Sequence, residues 1–85
     1  MEIKNNMEID VHLHVSLTKF LPEGAREKSV SVKLPNPANV IDIVHQLNIP
    51  ERYVKLVFVN GVRTNKKAAL SNGDRVSLFP PVGGG

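Results

Sequence analysis

Residues 8–17 read Glu8-Ile9-Asp10-Val11-His12-Leu13-His14-Val15-Ser16-Leu17, a strict alternation in which Ile9, Val11, Leu13, Val15 and Leu17 are apolar and the residues between them polar. A side-chain period of two puts all five apolar residues on one face of a strand. That face needs a covering layer, so the remaining chain must supply strands to extend the sheet and a helix to lie across it.

Moving outward, Lys19-Phe20-Leu21-Pro22-Glu23-Gly24 interrupts the pattern with proline and glycine, after which Val30, Val32 and Leu34 alternate with Ser29, Ser31 and Lys33. The two runs predict a hairpin joined by a long, mobile loop. Pro35-Asn36-Pro37 stops the second strand. Asn39 can then cap a helix whose apolar residues Val40, Ile43, Val44 and Leu47 fall at helical spacing, with Asp42 near the positive end of its dipole and Pro50 beyond its end. From Val54 to Val59 the chain is apolar except at Lys55, and Asn60-Gly61 is the favoured pair for a two-residue hairpin turn, so Val62 begins a return strand. Lys66-Lys67-Ala68-Ala69-Leu70 takes no assignment. Ser71-Asn72-Gly73-Asp74 makes a turn and Arg75-Val76-Ser77-Leu78-Phe79 a last strand.

The order is strand, strand, helix, strand, strand, strand. It predicts an α+β fold of the ubiquitin-like β-grasp type: a mixed sheet, one main helix packed on one face, and an extended C-terminal tail. The expected division is a disordered N-terminus over 1–7, the β-grasp domain over 8–79 and a flexible tail over 80–85.

Composition fits one small domain: 85 residues, 41% hydrophobic and 22% charged. The absence of cysteine removes disulfides, thiolate metal sites and thiol nucleophiles together. A formal charge of +3 is spread from Lys4 to Arg75, with Lys66-Lys67 the only adjacent pair and four aromatic residues in all, so no nucleic-acid stripe is expected. No apolar run nears the ~18 residues of a membrane span, and the N-terminus lacks a signal-peptide core, so a cytoplasmic protein is expected. His12 and His14 share a strand face with Asp10 and Glu8, yet an exposed polar face accounts for them without a metal, and none is assigned. His45 is read as a structural helix residue. Neither a Walker-type phosphate loop nor a serine elbow occurs, so no cofactor is expected on this chain and any ATP belongs to a partner.

One feature of the third strand leaves two readings open. Val54, Leu56 and Phe58 are expected to point one way and Val57 and Val59 the other, which makes both faces apolar. Loops or curvature could cover the second face, or it could be an exposed patch that docks a partner. Phe79 favours the patch, because burying Val76 and Leu78 by alternation leaves Phe79 on the opposite face beside the tail.

The tail reads Pro80-Pro81-Val82-Gly83-Gly84-Gly85. Two prolines favour an extended spacer, and three glycines leave the last positions without side chains. Six residues can reach roughly 20 Å, the geometry needed to thread a carboxylate into a narrow enzyme channel. A frayed terminus is the plainer alternative.

Asn60-Gly61 after an apolar strand, Leu70 followed by Asn72-Gly73-Asp74-Arg75-Val76, and above all Leu78-Phe79-Pro80-Pro81-Val82-Gly83-Gly84-Gly85 resemble the MoaD/ThiS family of ubiquitin-like sulfur carriers. The Phe-Pro-Pro-Val form is most similar to the small subunit of molybdopterin synthase. The resemblance implies a carrier, not a catalyst. A ubiquitin-activating-type enzyme would adenylate the Gly85 carboxylate with ATP, and a persulfide donor would supply sulfur for a thiocarboxylate. The large synthase subunit would receive that sulfur for the molybdenum cofactor. Gly84 and Gly83 would permit close approach, while Phe79, Pro80, Pro81 and Val82 would dock and aim the tail, with Leu56 and Phe58 as further docking candidates. Thr18-Lys19 stands where the family commonly has a Leu-Arg pair, leaving Lys19 as a candidate contact only. Gly83 replaces another small residue. A carrier for thiamine thiazole or another sulfur metabolite, a ubiquitin-like protein modifier, and an interaction domain with an inert tail are the alternatives.

Overall fold

The computed structural model describes residues 6–81. Five strands form one mixed sheet: β1 (Asn6–Leu13), β2 (Ser29–Pro35), β3 (Leu56–Val59), β4 (Val62–Thr64) and β5 (Arg75–Phe79). Their spatial order is β2-β1-β5-β3-β4. The first hairpin forms as expected, with Met7, Ile9 and Val11 of β1 opposite Leu34, Val32 and Val30 of β2. β5 lies centrally, parallel to β1 and antiparallel to β3. The α-helix among the described residues, α1 (Val40–Gln46), contributes Val40, Ile43 and Val44, each 0% exposed, to a core shared with Ile9, Val11, Leu13, Val76 and Leu78.

The helix start is a reciprocal cap. Asn39 Oδ1 accepts from the Asp42 N–H at 3.2 Å, and Asp42 Oδ2 accepts from the Asn39 N–H at 2.9 Å. Two of the otherwise unpaired groups at the helix entrance are thereby satisfied. The unassigned stretch 66–70 clamps the same end: the Val40 and Ile41 N–H groups donate to the carbonyls of Ala68 and Lys66, and the Leu70 N–H donates to that of Ala38. Leu70 is buried there.

At the β3–β4 turn, Asn60 and Gly61 both take positive φ, 54° and 83°. This is the backbone that an Asn-Gly hairpin turn requires. The Asn60 side chain also ties the turn to β5, accepting from the Arg75 N–H at 3.0 Å and donating to Asp74 Oδ1 at 2.9 Å.

Three sequence expectations are corrected. β1 ends at Leu13, not at residue 17: Val15 turns the chain with φ +57° and is 67% exposed, and Val15–Phe20 forms a 3₁₀ segment. Leu17 nonetheless reaches the core from that segment, so the apolar signal was correct and its geometry was not. Val54 does not share a face with Leu56 and Phe58. It follows a second 3₁₀ turn, Glu51–Tyr53, and is buried in the core like Val57. Finally, β1 begins two residues earlier than expected, because Met7 continues the alternation and is buried.

Candidate functional site

β5 delivers the chain toward its C-terminal residues from the middle of the sheet. Its alternation buries Val76 and Leu78 under the helix and leaves Phe79 half-buried on the opposite, open face. The end of the strand is held on both sides. The Lys55 N–H donates to the Phe79 carbonyl at 2.8 Å, and the His14 N–H donates to the Leu78 carbonyl at 3.2 Å. Pro80 is buried and Pro81 is exposed, so the packed body extends one residue past β5.

Around Phe79 the open face is aromatic and apolar. The His14 ring lies flat on Phe79, with centroids 4.2 Å apart and planes 5° from parallel. Phe58 meets Phe79 edge-on at 5.6 Å. Leu56 is the direct cross-strand partner of Phe79. Offset and edge-on aromatic pairs of this kind fix ring orientation while leaving surface exposed for a partner. On the sheet face away from the helix, Leu56, Phe58 and Phe79 thus form a half-buried apolar cluster.

Burial lowers the His14 imidazole below its ordinary value of 6.5, and the charges of His12 and Lys28 push the same way. His12 instead turns to Asp10, with Nε2 3.0 Å from Oδ2. The two histidines therefore serve different neighbours rather than converging.

Lys19 lies on the 3₁₀ segment beside the root of the tail. Its Nζ is 5.5 Å from the Phe20 centroid and 5.6 Å from that of Tyr53. With Ser16, Tyr53, Pro80 and Pro81 it lines a groove of about 270 Å³. Thus Phe79, Leu56 and Phe58 come together, Lys19 and Pro80-Pro81 form a second group, and Val82, Gly83, Gly84 and Gly85 lie outside the described residues.

Sequence reasoning missed His14 and Tyr53 as parts of these groups. His14 carried no sequence signal, because its place beside Phe79 follows from the parallel pairing of Leu13 with Leu78. Tyr53 sits in an aperiodic turn, where alternation carries no information.

A mixed sheet in this order, with one helix across one face and a central last strand leading to the tail, defines a ubiquitin-like β-grasp protein. The chain belongs to the Mut7-C ubiquitin family, whose sequence model matches residues 6–83. No curated protein shows a significant sequence match. Among solved structures, it is similar to the HVO 2177 protein of Haloferax volcanii, with 25% identity, a TM-score of 0.78 and coverage of 100% of this chain and 92% of that one. It is also similar to small archaeal modifier protein 1 of the same organism, at 25% identity and a TM-score of 0.65, covering 92% of this chain and 99% of the other. Subunit 1 in a complex of subunits 1 and 2 of the molybdopterin-converting factor from Helicobacter pylori shares the fold, with 21% identity, a TM-score of 0.57 and coverage of 93% and 100%. The ubiquitin-like class expected from the tail and turn motifs is therefore the class found. Among the described residues, no helix is long and apolar enough to cross a membrane.

Proposed function

We propose that this chain is a sulfur carrier whose reactive group is the α-carboxylate of Gly85. The observation that carries the reading is the placement of Phe79: the strand leading to the Pro-Pro-Val-Gly-Gly-Gly run ends inside an apolar patch of Leu56, Phe58 and Phe79 on the open sheet face. A docking surface at the root of a tail that ends in three glycines lets a larger enzyme hold the domain while the terminus enters its active site. A carboxylate is a poor electrophile until its oxygen becomes part of a leaving group. An adenylating enzyme supplies this: a Gly85 carboxylate oxygen attacks the α-phosphate of ATP and pyrophosphate departs. Sulfur from a persulfide donor then displaces AMP, and a thiol reductant frees the donor, leaving a thiocarboxylate. ATP is the partner's substrate, and the carrier contributes only docking and the terminal carboxylate.

The likeness to a chain of the complex of subunits 1 and 2 of the molybdopterin-converting factor supports delivery to a large synthase subunit for molybdenum cofactor synthesis. The likeness to small archaeal modifier protein 1 favours a second reading, attachment of Gly85 to lysines of other proteins. Both begin with the same adenylate. ATP–pyrophosphate exchange with the cell's adenylating enzyme tests the shared step. Full-length protein should stimulate exchange, and deletion of Gly85 should abolish it with the fold retained. Exchange that survives the deletion refutes the assignment.

A further inference from the structure

The chain contains two Asn-Gly pairs, Asn60-Gly61 and Asn72-Gly73. All four residues are exposed, and each glycine takes a positive φ, 83° at Gly61 and 88° at Gly73. The pairs differ in what holds the glycine nitrogen. The Gly73 N–H donates to the Glu8 carbonyl at 2.9 Å, and the Glu8 N–H donates to Asn72 Oδ1 at 2.8 Å, so both backbone groups of Glu8 lock that pair to β1. The Gly61 N–H, at the tip of the β3–β4 turn, has no acceptor among the described residues. A backbone N–H committed to a carbonyl must give up that bond before its nitrogen can react, whereas a free one is available at once. On the Asn60 side chain, Oδ1 accepts from the Arg75 N–H at 3.0 Å and Nδ2 donates to Asp74 Oδ1 at 2.9 Å. A donor on Oδ1 sits where negative charge develops when a nucleophile adds to the amide carbon. Asn72 has an equivalent donor in the Glu8 N–H but lacks the free nucleophile.

We propose that Asn60 is a site of spontaneous covalent modification, at which the Gly61 nitrogen closes on the Asn60 side chain and converts it to aspartate or isoaspartate. Hydroxide removes the Gly61 amide proton, and the nitrogen forms a bond to Asn60 Cγ. The Cγ–Nδ2 bond breaks, and Nδ2 leaves as ammonia with a proton from water. Ring closure within one chain makes the attack intramolecular, which removes the entropic cost of bringing a nucleophile in. Water then opens the cyclic imide. Cleavage of the new Cγ–N bond restores the main chain with an aspartate, and cleavage at the Asn60 main-chain carbonyl leaves an isoaspartate linked through Cγ. The consequence lies in β5. The Asn60 N–H donates to the Arg75 carbonyl at 2.8 Å, so together with Oδ1 this residue continues the β3–β5 ladder past Val59 and Val76. An aspartate cannot donate to Asp74 and sets two carboxylates face to face. An isoaspartate also lengthens the main chain of a two-residue turn. Either product loosens the strand that carries Phe79 and leads to the tail. This chemistry needs neither the carrier reading nor a partner.

Peptide mapping of the full chain tests it, with aspartyl and isoaspartyl peptides separated during incubation at neutral and mildly alkaline pH. In the folded protein, conversion at Asn60 should exceed that at Asn72 by at least about tenfold, the protection that a retained backbone hydrogen bond gives the Gly73 nitrogen. The rate should rise with hydroxide concentration. In urea, where neither glycine nitrogen is held, the two rates should converge. Equal rates in the folded protein, or faster conversion at Asn72, would overturn the assignment. So would an Asn60 that stays intact in the folded protein over a time in which the unfolded chain converts fully. The loosening of β5 has its own measurement. Asn60→Asp, which reproduces the aspartyl product, should unfold at a lower urea concentration than wild type at neutral pH, and the deficit should shrink as acid protonates the facing carboxylates. Equal midpoints at neutral pH would overturn that consequence.

Discussion

His14 packs flat on Phe79, and its partly buried imidazole couples stability to pH. Its folded-state pKa is lowered, chiefly by burial and then by the charges of His12 and Lys28. Below 6.5 the unfolded chain takes up a proton that the folded chain resists, so the unfolded state binds more protons in that window. The stabilisation is complete above 6.5 and is lost as pH falls toward the lowered value. Urea unfolding across this range should show wild-type protein losing stability faster than His14→Phe, and parallel pH profiles would disprove the coupling. Asn39 offers a second test at this scale. Asn39→Ala removes the acceptor for the Asp42 N–H and should cost about 1 kcal/mol in urea unfolding, because a short helix has few other groups to hold its entrance. The sequence disclosed the Asn39 cap, whereas Asp42 was legible only as a charge near the helix dipole and not as the acceptor of the reciprocal bond. The His14–Phe79 stack was hidden, because it depends on the parallel pairing of strands separated by most of the chain.

The element most at odds with its sequence is β1. Period-two alternation runs unbroken to Leu17, yet the strand stops at Leu13 and a 3₁₀ segment takes over. Alternation reports which residues are buried, not by which backbone they arrive there, and a tight turn can bury Leu17 as well as a strand can. The cost is visible at Val15, a β-branched residue at φ +57° with its side chain in solvent. A left-handed backbone at such a residue costs on the order of 1–3 kcal/mol. Val15→Gly should therefore raise the urea midpoint by about 1 kcal/mol equivalent with unchanged m-value. A lower midpoint would mean that the turn is not strained. By contrast, Asn60-Gly61 was legible as a turn because its residue types admit little else, and both residues adopt the positive φ expected.

Across the whole molecule, β5 separates folding from function by alternate residues. Leu78 is 0% exposed in the core, whereas Phe79 lies on the open face. Leu78→Ala should lose about 2–5 kcal/mol of stability. Phe79→Ala should lose less than about 2 kcal/mol yet impair docking of the adenylating enzyme, seen as a raised KM for the carrier. Equal losses of stability from the two substitutions would contradict the division. The succession of elements and the covering helix were legible because β1, β2 and β5 alternate with a period of two and α1 carries a capped helical run; the spatial order of the strands was not. The facing of Val54 was not legible either, since it joins the core through a turn that no periodicity marks. The cysteine-free composition is compatible with sulfur chemistry only if the sulfur rides on the backbone terminus. The most direct test is the intact mass of the protein isolated from its native cell. The account predicts a fraction heavier by the difference between sulfur and oxygen, with the change mapped to Gly85. A terminus that is always a plain carboxylate, in cells actively making the sulfur-containing product, would contradict it.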